Sequence, residues 1–493
     1  MDIPVNQVLL GVYFLFLILF LRFFWWKRFA ERRYWRHRPR LDIGTVEKLA
    51  QDQGGALPFL ALLIPARNEA DVIANTLEHL ARVTYPPDRY EIVVITDGKE
   101  ARAYERGEHP GPTTQQIVMA KQKEWREDPT KPYLKHIIVP PDFNGEYCGR
   151  CVGHDVPSTK ARALNYALGH LDPRTVIVGF YDAESHPEPG VPLYVAYRWL
   201  ITGGRARLWQ GPVYQVRNFY SLGPITKIAA LYQALAHEWY YPALMQRLPF
   251  IGGTNFYATR ELLEKIGGFD AQALTEDLEI GARAYLAADA WPEYIPFYST
   301  EQTPATLRAF FRQRLRWASG HLQVVEKLKR TTAYPPQKRR QLVCRLFVKG
   351  QLEWSLYQAA CLLPVIFLPL SLSGQIDIAY GLPAWVGPWL RLNAFLYYGF
   401  TFHLYWRYRR LMDNSLAPYP YLSVVLAPLE LFLLPLAGFF FPLPYTTAML
   451  LRLCGRQPQT WVKTPRTREV AQPASVAVRG AGRLAMGTGE ATR

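Results

Sequence analysis

Apolar and polar positions divide this chain into two textures. Residues 8–26 read VLLGVYFLFLILFLRFFWW, with Arg22 as the one charge. Such a run is long enough to cross a hydrocarbon layer of about 30 Å. Lys27, Arg28, Arg32, Arg33, Arg36, Arg38 and Arg40 follow it. By the positive-inside rule they predict an outer N-terminus and a cytoplasmic domain after the span. A second apolar zone opens near Trp354. It predicts spans over 356–372 and 392–406, the latter closed by Arg407, Arg409 and Arg410. Residues 421–453 are broken by Pro428, Pro435, Pro442 and Pro444. They read either as a kinked hairpin or as one span followed by an amphipathic surface helix.

Between these zones the texture changes. Short β-rich runs at 59–64, 92–96, 136–139 and 176–181 alternate with helical patterns at 71–83, 113–126 and 160–171. That alternation predicts parallel βαβ units. Polar residues follow the strands: Pro65 to Glu69 after the first, Asp97-Gly98 after the second, Asp182 and Glu184 after the fourth. Ligands of such sheets bind at the carboxyl ends of the strands. The expected division is a membrane helix with its basic flank over 1–40 and an α/β domain over 57–334. Interface and membrane helices at 335–455, a short segment at 456–466 and a disordered tail at 467–493 complete it. A further amphipathic interface helix is expected within the α/β domain, at about 304–328. The length left after Trp461 is short for another folded domain.

Composition narrows the classes. Of 493 residues, 49% are hydrophobic and five are cysteine, which excludes a disordered chain or a disulfide scaffold. Lys plus Arg is 57 and Asp plus Glu is 41, a net charge of +16. Much of the excess flanks the apolar zones, where it would face anionic headgroups. No basic, base-stacking module is apparent, so nucleic acid is not an expected partner.

Several residues suit chemistry. Asp182 and Glu184 form an acid-x-acid pair that can hold Mg²⁺ or Mn²⁺ through oxygen. Thr275-Glu276-Asp277 precedes a helical pattern. Thr275 can cap that helix with acids in its first turn, or Asp277 can act as a general base. Gln313, Arg316 and Trp317 lie at i, i+3 and i+4 and share a helical face that can grip a diphosphate and stack on a sugar. Cys148, Cys151 and His154 have the spacing of half a zinc site, which Asp155 or His136 could complete. Free thiols in a cytoplasmic loop are the alternative.

The ordered set resembles the membrane-integrated family 2 glycosyltransferases, which include cellulose, hyaluronan and mannan synthases. It runs through Pro65, Arg67 and Glu69, then Asp97, Lys160, Asn165, Asp182 and Glu184. Gly252, Gly253, Thr254 and Asn255 follow, then Glu276 and Asp277, and finally Gln313-x-x-Arg316-Trp317. The resemblance implies a Rossmann-like GT-A α/β fold in the cytoplasm, an inverting reaction and a nucleotide-sugar donor. By position, Pro65, Arg67, Glu69, Asp97, Lys160 and Asn165 would hold the donor, and Asp182 and Glu184 its Mg²⁺ or Mn²⁺. Asp277 would be the base, placed by Glu276. Gln313 and Arg316 would bind the leaving diphosphate. Trp317 and the 252–255 segment would meet the acceptor. The stretch at 461–464 resembles a segment that closes over the nucleotide, with Lys463 as a phosphate contact. Glu184 departs from the usual Asp-x-Asp pattern.

The implied partners are a nucleotide-sugar, a glycan or lipid acceptor and membrane lipids, and the implied location is integral to a cell membrane. The leading expectation is synthesis of a β-linked polysaccharide. The alternatives are a lipid glycosyltransferase, similar to ceramide glucosyltransferases, and an inactive membrane scaffold.

Overall fold

A computed structural model of the chain describes residues 5–108, 111–149, 158–359, 362, 370, 373–375, 384–456 and 464–469. Its centre is a seven-stranded mixed sheet in the order β3-β2-β1-β4-β8-β6-β9. The strands are β1 (Phe59–Pro65), β2 (Tyr90–Asp97), β3 (Tyr133–Val139), β4 (Thr175–Phe180), β6 (Leu208–Gln210), β8 (Phe256–Thr259) and β9 (Glu293–Tyr294). β5 (His186–Pro187), β10 (Ser299–Thr300) and β7 (Val213–Tyr214) form a small second sheet. The first four strands are parallel, as expected. β8 then runs antiparallel to both β4 and β6, so the sheet is mixed beyond the four strands expected from the sequence.

β1 is apolar at successive positions because both faces of the sheet are covered. Leu60, Leu62 and Ile64 pack with Leu77, Leu80 and Val118 on one side. Ala61 and Leu63 pack with Leu164, Leu168 and Leu262 on the other. Gly179 in β4 marks a close approach. A Cβ there would lie 2.5 Å from the ring of Tyr257 in β8, so only glycine fits.

The predicted helices appear with small boundary shifts, at Ile73–Leu80, Thr114–Arg126 and Lys160–Leu168. Thr113 opens the second with a reciprocal capping box to Gln116. Thr159 caps the third through the amide of Arg162. A helix, Leu307–Arg330, spans the stretch where an interface helix is expected.

The first apolar run forms the Val5–Ala30 helix. It buries Phe20 and Trp26 against Phe400, Trp239 and their neighbours, and leaves Ile18, Leu21 and Trp25 exposed. Val386–Tyr408 contains the second predicted span. The predicted span at 356–372 lies largely outside the described residues. Among the described residues, one helical run, Pro420–Leu453, is long and apolar enough to cross a membrane.

The Glu276–Ala288 helix is pinned by a buried charge cluster. Glu279 pairs with Arg283 at 2.7 Å and with Lys327 at 2.5 Å, and Lys327 also pairs with Asp270 at 2.5 Å. Arg283 further donates to the carbonyls of Ile266 and Gly268. Burial alone would raise the Glu279 carboxyl, but Arg283 and Lys327 prevail and hold it at about 2. Its contribution is therefore present above the ordinary value of 4.5 and lost as pH falls toward about 2. Replacing Glu279 leaves the buried Arg283 guanidinium without a carboxylate partner. Glu279→Gln is expected to lower stability by about 3 kcal/mol at neutral pH and to flatten the acid limb of stability in that window. Denaturant melts of the full chain at several pH values measure both.

Candidate active site

The carboxyl ends of β1, β2 and β4 converge on one edge of the sheet. Asp182 follows β4, and its backbone N–H is 3.0 Å from Ser185 Oγ and 3.2 Å from Thr254 Oγ1. Both hydroxyls also donate to Glu301 Oε1, at 2.5 and 2.8 Å. Asp182, Glu184 and Glu301 each offer an oxygen within 4.8 Å of the others. Glu184 is 1% exposed, and its Oε2 has no hydrogen-bond partner among the described residues. Burial and the charges of Asp182 and Glu301 push its carboxyl well above the usual range, with Arg466 opposing. This is an oxygen-only donor set with an orphaned buried atom, which suits a hard divalent cation. Glu184 thus completes the acidic group despite its longer arm.

Glu301 was not foreseen. It follows the two-residue strand β10, too short to show a period in the sequence. Lys160 Nζ donates to Asp182 and, at 2.6 Å, to the carbonyl of Gly253. It thereby ties the acid end of β4 to the 252–255 segment.

Asp277 sits in the first turn of its helix, where Oδ1 accepts the Leu278 amide at 2.8 Å. Burial, then the neighbouring Glu276, pushes its carboxyl up to about 7. Gly253 has φ near +80°, and a Cβ there would lie 2.7 Å from Asp277 Oδ2. The loop can pass this close only as glycine. Thr275 does not cap the helix through its side chain. Its side chain instead faces Gly320, where a Cβ would come within 2.6 Å of Thr275 Cγ2. The capping alternative is therefore corrected.

Gln313 is buried, with Oε1 unpartnered among the described residues. Arg316 donates to the Leu274 carbonyl at 3.0 Å, beside the Asp277 turn. Trp317 lies under the Arg314 guanidinium, 4.1 Å from its ring centroid. One cavity of about 1350 Å³ is lined by Lys160, Asp182, Glu184, Gly252, Gly253, Thr254, Glu276, Asp277, Gln313, Arg316 and Trp317. It continues past them to Leu15, Leu19, Phe23, Tyr397 and Leu434 on the apolar helices.

Other predicted residues lie beside this space. Asn165 engages its whole amide with the backbone of Gly145 and Phe269. Asn255, at φ 49°, similarly donates to the carbonyls of Pro212 and Phe297. Asp97 caps the Gly98–Glu105 helix through Lys99 N, with Arg162 at 3.6 Å. Glu69 is buried near Arg466, Pro65 is half-buried and Arg67 is exposed at the end of β1.

Cys148 is exposed and free, whereas Cys151 and His154 lie outside the described residues. His136 bonds Thr96 at 2.8 Å. Lys463 also lies outside the described residues. The stretch after it does not: Arg466 reaches Glu184 at 2.7 Å. Thr467 and Glu469, expected in a disordered tail, are hydrogen-bonded to Gln302.

Known proteins resemble this chain. A probable glycosyltransferase, YdaM, of Bacillus subtilis is 28% identical over 302 residues, 59% of this chain and 61% of its own length. A beta-monoglucosyldiacylglycerol synthase of Trichormus variabilis is 24% identical over 279 residues, 55% of this chain and 51% of its own. The matches thus span about half to three-fifths of these relatives. Among solved structures, the mannosyltransferase PcManGT of Pyrobaculum calidifontis, in complex with GDP-Man and Mn²⁺, superposes with a TM-score of 0.44 at 19% identity. That match covers 89% of this chain and 98% of the other. The description of glycosyl transferase family group 2 matches residues 177–451, from β4 through the apolar helices. The chain belongs to glycosyl transferase family group 2.

Proposed function

We propose that the protein is an inverting, membrane-inserted glycosyltransferase that moves one sugar from a nucleotide-sugar to the hydroxyl of a lipid. The observation that carries the acceptor class is the continuity of the cavity. It starts at Asp277 and Trp317 and ends among apolar side chains of the Val5–Ala30 and Val386–Tyr408 helices. An acyl chain can lie along such walls while its hydroxyl reaches the carboxylate. Exposed Ile18, Trp25, Phe395 and Trp406 on the same helices suit a hydrocarbon surround. The relative whose name concerns glucosyldiacylglycerol supports the same reading. A growing β-glycan is the second reading, favoured by the aromatic rings of Trp317, Trp26 and Tyr232 along the cavity.

In this reading Asp277 takes the acceptor's hydroxyl proton as the acceptor oxygen bonds to the anomeric carbon. The bond from that carbon to the phosphate oxygen breaks, and the nucleoside diphosphate leaves. Arg316 and Lys160 meet the charge that develops on it, and Gln313 orients it. Pro65, Arg67, Glu69 and Asp97 border the nucleoside end. A divalent cation held by Asp182, Glu184 and Glu301 would supply Lewis-acid neutralisation of the diphosphate when bound. Burial of Asp277 matters because a base with a value near working pH is effective and still ionises.

Incubation of the purified full chain with UDP- and GDP-sugars, Mn²⁺ and diacylglycerol or ceramide vesicles is expected to give a lipid bearing a single sugar. A product ladder would contradict the lipid reading and favour the glycan. Asp277→Asn is expected to reduce transfer by about 10²–10⁴-fold with donor affinity retained, as titration of the nucleotide would show. Because the base must be unprotonated, kcat/KM should rise with pH through the Asp277 value of about 7. A profile that is flat or falls there would remove Asp277 from that role.

A further inference from the structure

The acidic group at the end of β4 already holds a cation supplied by the chain itself. Arg466 Nη1 lies 2.7 Å from Glu184 Oε1, and its Nε lies 3.9 Å from Glu69 Oε2. The arm that carries it is fastened on both sides of the backbone. The Thr467 amide donates to Gln302 Oε1 at 2.8 Å, and Gln302 Nε2 returns a bond to the Thr467 carbonyl at 2.9 Å. Asn218 donates to Thr467 Oγ1 at 3.0 Å. Glu469 pairs with Arg217, accepts from Gln302 at 2.8 Å and donates its own amide to the Asp71 carbonyl at 3.1 Å. Asn218, Arg217 and Glu469 are outside the acidic trio, so the arm has an attachment of its own.

We propose that Arg466 is a tethered stand-in cation, which seals the Asp182–Glu184–Glu301 group in the donor-free protein and must withdraw when a divalent cation enters. The inference rests on the reading of that trio as a divalent-cation site. A guanidinium has only donors and cannot share in ligating a metal. It occupies Glu184 Oε1, and its charge repels a second cation placed between the same acids. Docking of residues 464–469 and cation binding therefore oppose one another. By linkage each weakens the other by the same factor. The same group is compensated in both states, so the carboxylates are never left buried without a cation. Glu469 and Gln302 set how firmly the arm is held, and hence how much cation is needed to release it.

The test uses the full chain and Mn²⁺ alone, with free Mn²⁺ followed by electron paramagnetic resonance. R466A is expected to bind Mn²⁺ about tenfold more tightly, the gain if the docked arm holds about nine-tenths of the population. E469Q, which loosens the Arg217 anchor and leaves the acids intact, should shift affinity in the same direction. In the wild type, Mn²⁺ should accelerate tryptic cleavage after Arg466 and Arg468, mapped by mass spectrometry. D182N should abolish the Mn²⁺ effects. Wild-type binding with no change in R466A or E469Q would overturn the tethered cation and leave the metal site standing. No Mn²⁺ binding by wild type and R466A alike would overturn both. Should R466A fail to fold, E469Q and the cleavage rates decide, and cleavage insensitive to Mn²⁺ contradicts the proposal.

Discussion

Acid packed against acid is the constraint on which this site depends. Asp182, Glu184 and Glu301 lie within ligand distance of one another at the end of β4, with little water around Glu184. Mutual repulsion and burial make such a group costly unless positive charge is brought to it. The fold brings it from three directions. Lys160 comes from the start of a helix that covers the sheet, Arg466 from a segment far along the chain, and Arg316 approaches the neighbouring Asp277 turn from the long Leu307–Arg330 helix. Placing these cations requires the sheet edge, the helix behind Asp277 and the distal segment to assemble together.

The second organising feature is the path from that charged edge to apolar helices. The Glu276–Ala288 helix is fixed by Glu279, Arg283 and Lys327, and Gly253 lets the 252–255 loop touch Asp277. Asp277 is therefore held where polar floor meets apolar wall. In the proposed reading, a hydroxyl attached to a hydrophobic chain would meet a matching surface at each part of that junction.

Much of this was legible in the sequence, and the illegible parts share a cause. The apolar run of β1 and the polar residues after it were readable because strand ends in a parallel sheet collect function. Gln313, Arg316 and Trp317 were readable from helical spacing. Glu301 was not, since two residues of strand carry no periodic signal. The antiparallel β8 and β6 were also missed, being short and set by pairing partners distant in sequence. Arg466 ends the 456–466 segment, and the Thr467 and Glu469 that anchor it lie in the stretch expected to be disordered, where contacts with Gln302 and Arg217 hold them. Asn165 and Asn255 stand out by position, and in the fold both donate to backbone carbonyls. Sequence alone could not separate that role from ligand contact.

The central claim is that the carboxylates after β4 form the cation site of the transfer centre, and that cation and Arg466 exclude one another there. Anomalous diffraction at the manganese edge, from crystals grown with Mn²⁺ and a nucleoside diphosphate, tests it most directly. The account predicts a single strong peak among Asp182, Glu184 and Glu301, with the Arg466 guanidinium withdrawn from Glu184. A peak elsewhere, or one beside an Arg466 still paired with Glu184, would contradict it.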